Sequence, residues 1–274
     1  MFENLQNSQK NIHCKMLVYG VAGTGKTCLA LSHPGKIYIL DYEKGSNLYA
    51  DIADNVYIQP ISSWVQLNEA LAFLKTVVTP EDCILFDSET LFYDDLQCVR
   101  ANFETSDAKK VGKLNLGDWG VIKKIVKDTH MKLNNFQCDV IATSHEKVLL
   151  NNEGIQMGYV PSCEQNVPHY FDYTFRLLKN EDKITMILDK ERSDKVDFTE
   201  LDITNKTFSD IFGNMFSRNA TISDILKKFK FQIMYAKNKA ALNEVKKNIK
   251  ESNLPEESLQ VLRKMVTEKS RRIV

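Results

Sequence analysis

No run of about 18 apolar residues occurs in the 274-residue chain, which excludes an evident membrane-spanning helix. The opening Met1-Phe2-Glu3-Asn4-Leu5-Gln6-Asn7 lacks the basic start and apolar core of a secretory leader, so a cytoplasmic protein without a membrane partner is expected. Six cysteines (Cys14, Cys28, Cys83, Cys98, Cys138, Cys163) include no Cys-x-x-Cys pair. Neither a disulfide framework nor a zinc knuckle is therefore indicated, and buried free thiols are expected. Internal repeats and low-complexity tracts are missing as well. Net charge is also absent, with 36 basic and 36 acidic residues. That balance hides an asymmetry: from residue 221 onward 13 Lys/Arg face 6 Asp/Glu, a surplus of seven positive charges that suits either a polyanion partner or a solvated basic helix face.

What remains is the composition of a globular chain, 43% hydrophobic and 26% charged, long enough for one sizeable core and an appendage. Within it Gly20-Val21-Ala22-Gly23-Thr24-Gly25-Lys26-Thr27 satisfies G-x-x-x-x-G-K-[ST] in full. The apolar Met16-Leu17-Val18-Tyr19 before it predicts a buried strand, and Lys26 to Leu31 predicts a helix ended by Ser32-His33-Pro34-Gly35. Strand, glycine loop and helix start together make a phosphate cradle. Inward-turned backbone N–H groups and the positive helix end both favour an anion. Lys26 is then expected on the β- and γ-phosphates of a nucleoside triphosphate and Thr27 on Mg²⁺, with Cys28 completing the nucleotide-binding stretch.

In chain order, an N-terminal arm is expected at 1–14, then a core at 15–217 and a helical tail at 218–274. Lys36 to Leu40 reads as a second buried strand, closed by Asp41, Tyr42, Glu43, Lys44 and Gly45. In open parallel sheets function gathers at the carboxyl ends of strands, so Asp41 and Glu43 are expected at the edge that carries the glycine loop. Asn55 to Ile58 predicts a third strand, and Trp64, Leu67, Leu71 and Leu74 share one face of a helix over 63–77. Cys83-Ile84-Leu85-Phe86-Asp87 has the form of a Walker B strand whose terminal Asp87 helps hold Mg²⁺; Glu89 is a second candidate for catalytic base.

A helix is expected from Thr90 to Phe103, followed by a polar, mobile segment at 104–113. A further helix over Trp119, Ile122, Ile125, Val126, His130 and Leu133 leads into Asp139 to Ser144, a strand that delivers His145, either to the γ-phosphate and attacking water or to a structural place. Residues 146–170 read as a long connection with a hairpin tip at Asn151 to Gly154. Two antiparallel strands, 173–178 and 183–188, follow around Asn180-Glu181-Asp182. Three helices are expected in the tail, at 222–229, 237–252 and 255–272, joined to the core through Ser217-Arg218-Asn219-Ala220.

Taken together these signals resemble the RecA-like branch of the P-loop ATPases. Leu40-Asp41-Tyr42-Glu43 is similar to the strand that carries the catalytic glutamate in RecA-type recombinases, and Phe86-Asp87-Ser88 resembles the aspartate-serine ending of that branch rather than the aspartate-glutamate pair of the AAA+ branch. More narrowly, the stretches 33–45, 83–90, 140–146 and 170–193 resemble a family of phage-encoded nucleotide-binding proteins, small RecA-like ATPases that accompany single-strand annealing and homologous recombination. The resemblance covers about residues 15–195 and implies an α/β fold, a mainly parallel sheet flanked by helices, with a small C-terminal helical tail. It further implies Glu43 polarising the attacking water, His145 as γ-phosphate sensor where that branch usually has glutamine, and Lys190 and Arg192 reaching a neighbouring subunit's nucleotide in an oligomer or filament.

The leading functional expectation is an ATPase, stimulated by DNA, that acts on single-stranded DNA beside recombination or replication proteins in the cytoplasm of a bacterial host. Lys109, Lys110, Lys113, Lys147 and the basic tail are the expected phosphate contacts, on loops 104–117 or 146–169. The alternatives are a nucleotide-dependent loader or switch that docks through its helical tail, and a small-molecule P-loop kinase, against which residues 104–117 offer lysines but no arginine for a lid.

Overall fold

The computed structural model describes residues 13–49, 55–100, 114–192, 195–213, 222–252 and 254–273. The expectations for the arm at 1–12, for Lys109, Lys110 and Lys113, and for the linker Ser217 to Ala220 lie outside the described residues.

Five apolar runs form parallel strands. They are β1 (Lys15–Tyr19), β2 (Ile37–Asp41), β3 (Val56–Pro60), β4 (Cys83–Asp87) and β5 (Asp139–Ser144). Every residue of β1, β4 and β5 is buried, as continuous apolar runs require when both faces of a sheet are covered. A hairpin of β6 (Glu146–Leu150) and β7 (Gln156–Pro161) follows, then β8 (Tyr173–Asn180), β9 (Lys183–Lys190) and β10 (Glu200–Asp202). The main sheet has eight strands in the order β10-β9-β8-β1-β5-β4-β2-β3. It is parallel from β8 to β3, while β9 and β10 pair antiparallel at one edge.

Helices cover both faces, and the alternation of side chains along the strands decides which residue meets which layer. Met16 and Val18 pack with Leu29, Ala30 and Leu31 of α1 (Lys26–Leu31). Leu17 faces the other way, toward α2 (Trp64–Val77), α3 (Glu89–Arg100) and α4 (Leu116–Asn134). Ser63 caps α2, and an Asn115–Asp118 capping box starts α4. The expected α/β class, with a mainly parallel sheet, flanking helices and helices at the C-terminus, is the one observed.

Three differences from the sequence reading have physical causes. The hairpin tip expected at Asn151 to Gly154 is present, but its arms extend as paired strands over 146–161, with a register shift between Leu149 and Leu150, where the sequence predicts a long connection; Asn151 organises the tip, its side-chain oxygen accepting from the N–H groups of Glu153 and Ile155. Neither the three-residue β10 nor α5 (Phe208–Phe212) has the length to show a period, yet Phe208 and Phe212 are fully buried against α1's face. Finally, α6 (Ile222–Tyr235) runs past its expected end near Phe229, because its two faces serve two cores. Phe229 and Ile233 pack with α7 (Lys239–Glu251) and α8 (Glu256–Arg272), while Phe231 joins the main core. Lys227 of α6 donates to the His33 carbonyl at 2.6 Å, and His33 in turn meets the buried Asp139 at 2.9 Å.

A second buried pair links α3 to α4. Glu89 lies 2.8 Å from Nε2 of His130, whose Nδ1 meets the Val126 carbonyl at 2.8 Å, and both side chains are 1% exposed. Burial alone would lower the His130 pKa, but the Glu89 carboxylate outweighs it and the net shift is upward. A raised histidine stabilises the fold fully below its unfolded value of about 6.5 and ceases to as pH rises through its folded value. Urea unfolding of the wild type should therefore show stability falling as pH rises from about 6.5 through the folded His130 value, and Glu89→Gln should flatten that fall.

Candidate nucleotide site

Parallel strands bring their carboxyl ends to one edge, and the site forms there. β1 ends at Tyr19, and the chain then turns through Gly23 and Gly25, whose φ values of +78° and +92° are left-handed, before α1 begins. Lys26 is buried; its ammonium lies 3.0 Å from both the Gly20 and the Val21 carbonyl oxygens. Burial lowers its pKa, with Glu43 and Asp87 pulling the other way. Thr24 is fully buried and its hydroxyl donates to the Val21 carbonyl at 2.9 Å, bracing the loop from within.

Asp87 stands at the end of β4. One carboxylate oxygen accepts from the Thr27 hydroxyl at 3.1 Å and the other from the Thr143 hydroxyl. Burial pushes its pKa up to about 6; the two hydroxyls oppose that shift and Glu43 adds to it. A carboxylate so poorly compensated, beside a threonine hydroxyl, is a hard-oxygen donor set that fits Mg²⁺. Thr27 and Asp87 are the residues that would hold it.

Glu43 follows β2 by two residues. Asp41 accepts from the backbone N–H groups of Lys44 at 2.7 Å and Ser46 at 3.2 Å, so its carboxylate builds the turn. The Tyr42 and Glu43 amides both donate to the Asp87 carbonyl, at 2.6 and 3.3 Å, which ties the turn to β4. Glu43 thereby comes within 3.2 Å of Nε2 of His145, at the end of β5. The His145 amide donates to Thr90 at 2.9 Å, and Thr90 also meets Ser144. Gly20 to Cys28, Glu43, Asp87 and His145 are thus gathered at one edge.

Lys190 and Arg192 are not among them. Lys190 pairs with Thr174, which lies opposite the middle of β1, and donates to the Pro168 and Phe171 carbonyls at 2.6 and 2.7 Å. Arg192 is held by Asp172 and the His169 carbonyl. Both lie toward the opposite edge of the sheet from their own glycine loop. Glu89, the second candidate for catalytic base, is buried against His130. Two residues near the site carried no motif. Lys179 of β8 donates to the Gly23 carbonyl at 3.2 Å, and Tyr235 of α6 brings its hydroxyl to 2.6 Å from the Cys28 sulfur.

A glycine loop between strand and helix, an acid at the end of a second parallel strand and a Glu–His pair at the ends of two more give the chain the form of a P-loop nucleotide-binding protein. The sequence model of the AAA domain family matches residues 12–215, and the chain belongs to that family. No curated protein matches it by sequence. Among solved structures it is similar to the RadB recombinase, with 16% identity and a TM-score of 0.43 over 65% of this chain and 81% of that one. A KaiC-like protein, PH0186, from the hyperthermophilic archaeon Pyrococcus horikoshii OT3 matches with 14% identity and a TM-score of 0.40 over 68% and 83%. A DnaB-like replicative helicase, described with its interactions with primase, matches with 15% identity and a TM-score of 0.40; 66% of this chain spans about half of it, 52%.

Replacing Asp87 by Asn removes an ionisable group from a buried place while keeping hydrogen-bonding capacity. In metal-free buffer Asp87→Asn should melt no lower than wild type, whereas Mg²⁺ should lose at least about tenfold of its effect on nucleotide affinity. Calorimetry and titration with a fluorescent nucleotide read the two arms.

Proposed function

We propose that the protein binds ATP with Mg²⁺ at residues 20–28 and hydrolyses it. The observation that supports this most is the approach of Glu43 to His145 at 3.2 Å beside the Thr27–Asp87 pair, two acid-containing groups from four separate segments at one strand edge. Glu43 accepts the proton of the attacking water. His145 holds the Glu43 carboxylate in place and meets the γ-phosphate with its ring. Lys26 turns from the loop carbonyls to the β- and γ-phosphates. Mg²⁺, held by Thr27 and Asp87, offsets phosphate charge when bound.

The nucleic-acid target on this reading is single-stranded DNA, in phage-type recombination, annealing or replication, with the protein working as an oligomer or filament beside recombination or replication proteins. The hairpin β6–β7 begins at Glu146, directly after His145, and exposes Val148, Leu149, Leu150, Ile155, Met157 and Tyr159. An apolar surface adjoining the γ-phosphate side is a place for unstacked bases, and Arg176 lies 3.9 Å over the Tyr159 ring. Lysines of the C-terminal helices would add phosphate contacts. A loader that docks through α6–α8 is the second reading, favoured by the separate apolar cluster these helices build.

Lys26→Ala should abolish turnover. Glu43→Gln should keep nucleotide affinity while hydrolysis falls by roughly 10²-fold or more, the scale of a lost general base. Hydrolysis rates with no nucleic acid, ssDNA, dsDNA and RNA at two salt concentrations test the rest: ssDNA should accelerate turnover most, and less so at high salt. A protein that hydrolyses ATP yet is neither retained by nor stimulated by ssDNA is an ATPase of the loader kind, and the DNA assignment falls.

A further inference from the structure

Strand β8 outruns its neighbour. Its last parallel pair with β1 joins Arg176 to Tyr19, the residue before the glycine loop. Four more residues, Leu177 to Asn180, carry β8 alongside that loop, about 13 Å at the rise of an extended chain. The approach is backbone to backbone: a Cβ on Gly20 would stand 2.4 Å from the Leu177 carbonyl oxygen. Tyr173, Phe175 and Leu177 enter the cluster on the α1 face, and strand alternation puts Lys179 on that same face. Its ammonium reaches the Gly23 carbonyl at 3.2 Å, at the apex of the loop. Pairing with Ile184 of β9 fixes its backbone, and the Ile184 side chain in turn lies 3.6 Å from where a Gly25 Cβ would be. Among the described residues no carboxylate forms an ion pair with Lys179, which is exposed.

We propose that Lys179 is a catalytic cation supplied in cis to the transferring phosphoryl group. The inference rests on the ATP-hydrolysing reading above. In that reaction a bond forms between the water oxygen and Pγ, the bond from Pγ to the β,γ-bridging oxygen breaks, the proton passes to Glu43 and ADP leaves with the bonding pair. Negative charge therefore grows on the bridging oxygen, which the glycine loop encloses. Sheet order sets the proton acceptor and this cation on opposite flanks: β5, β4 and β2 lie to one side of β1, and β8 to the other. With nucleotide in the loop, the Lys179 ammonium exchanges the Gly23 carbonyl for a phosphate oxygen. The carbonyl is a neutral acceptor, so the exchange favours the developing charge.

Lys179→Ala and Lys179→Arg test this by steady-state hydrolysis, by binding of a fluorescent ATP analogue and by capture of ADP with Mg²⁺ and aluminium fluoride. Lys179→Ala should lower kcat by about 10²–10³-fold, the effect of losing one preorganised donor to developing charge. ATP affinity should stay within about threefold, while affinity for the ADP–aluminium fluoride complex falls with kcat, and Lys179→Arg should recover part of both. Wild-type turnover in Lys179→Ala overturns the proposal. So does a loss of ATP affinity equal to the loss of kcat, which would mark Lys179 as a support of the loop. If the wild type itself does not hydrolyse ATP, the proposed function fails instead and the capture arm alone decides. A fluoride complex held by wild type and lost in Lys179→Ala then upholds the role, and equal capture overturns it.

Discussion

The carboxylate of Asp87 is the group on which the architecture of the site depends. It closes a strand buried on both faces, where an ionised acid cannot keep its hydration shell, so other segments must supply its partners. Thr27 comes from the helix of the glycine loop and Thr143 from β5. The backbone carbonyl of the same residue accepts from Tyr42 and Glu43, which fastens the turn after β2. One position thus holds together the helix start, two strand ends and the turn that presents Glu43. The cost is a carboxyl whose pKa is pushed up to about 6, a strain that a divalent cation of oxygen preference relieves.

Around this centre the two flanks of the glycine loop differ in chemistry. Acids and His145 crowd the side of β5, β4 and β2; on the other, β8 packs its backbone against Gly20 and brings Lys179 to Gly23. The C-terminal helices close on the same region. Tyr235 meets Cys28 in the first turn of α1, Lys237 pairs with Asp182 at the β8–β9 tip, and Lys227 is buried against the carbonyl of His33. A segment that forms its own apolar cluster therefore also touches the helix and hairpin that frame the phosphate cradle.

Most elements were legible in the chain because their signals are local. Continuous apolar runs ending in acids marked β2 and β4, and the i, i+3, i+7 spacing of Leu242, Val245 and Ile249 marked a helix whose buried face is those three residues. Local signals faded where an element is short or serves two cores. The three residues of β10 and the five of α5 carry no period, and α6 continues to Tyr235 because Phe231 and Ile233 are buried in different clusters. Of hairpin β6–β7 only the tip at Asn151 to Gly154 was marked, because the outward apolar residues of its arms do not alternate with a buried face.

The amino-acid sequence by itself determined that Gly20 to Thr27 is a glycine loop between a buried strand and a helix and that Glu43, Asp87 and His145 lie at the ends of three buried strands, since backbone conformation and strand burial are written in adjacent residues. Tertiary structure alone decided which of these meet. Strand order is a long-range property, and it set β5 between β1 and β4, which brought His145 to Glu43 and Thr143 to Asp87. The same order sent Lys190 and Arg192 toward the far edge and committed Glu89 to His130. It also carried Lys179, a lysine in no motif and 153 positions beyond Lys26, to the apex of the loop, because a parallel strand that continues four residues beyond its last pair must run past its neighbour's end.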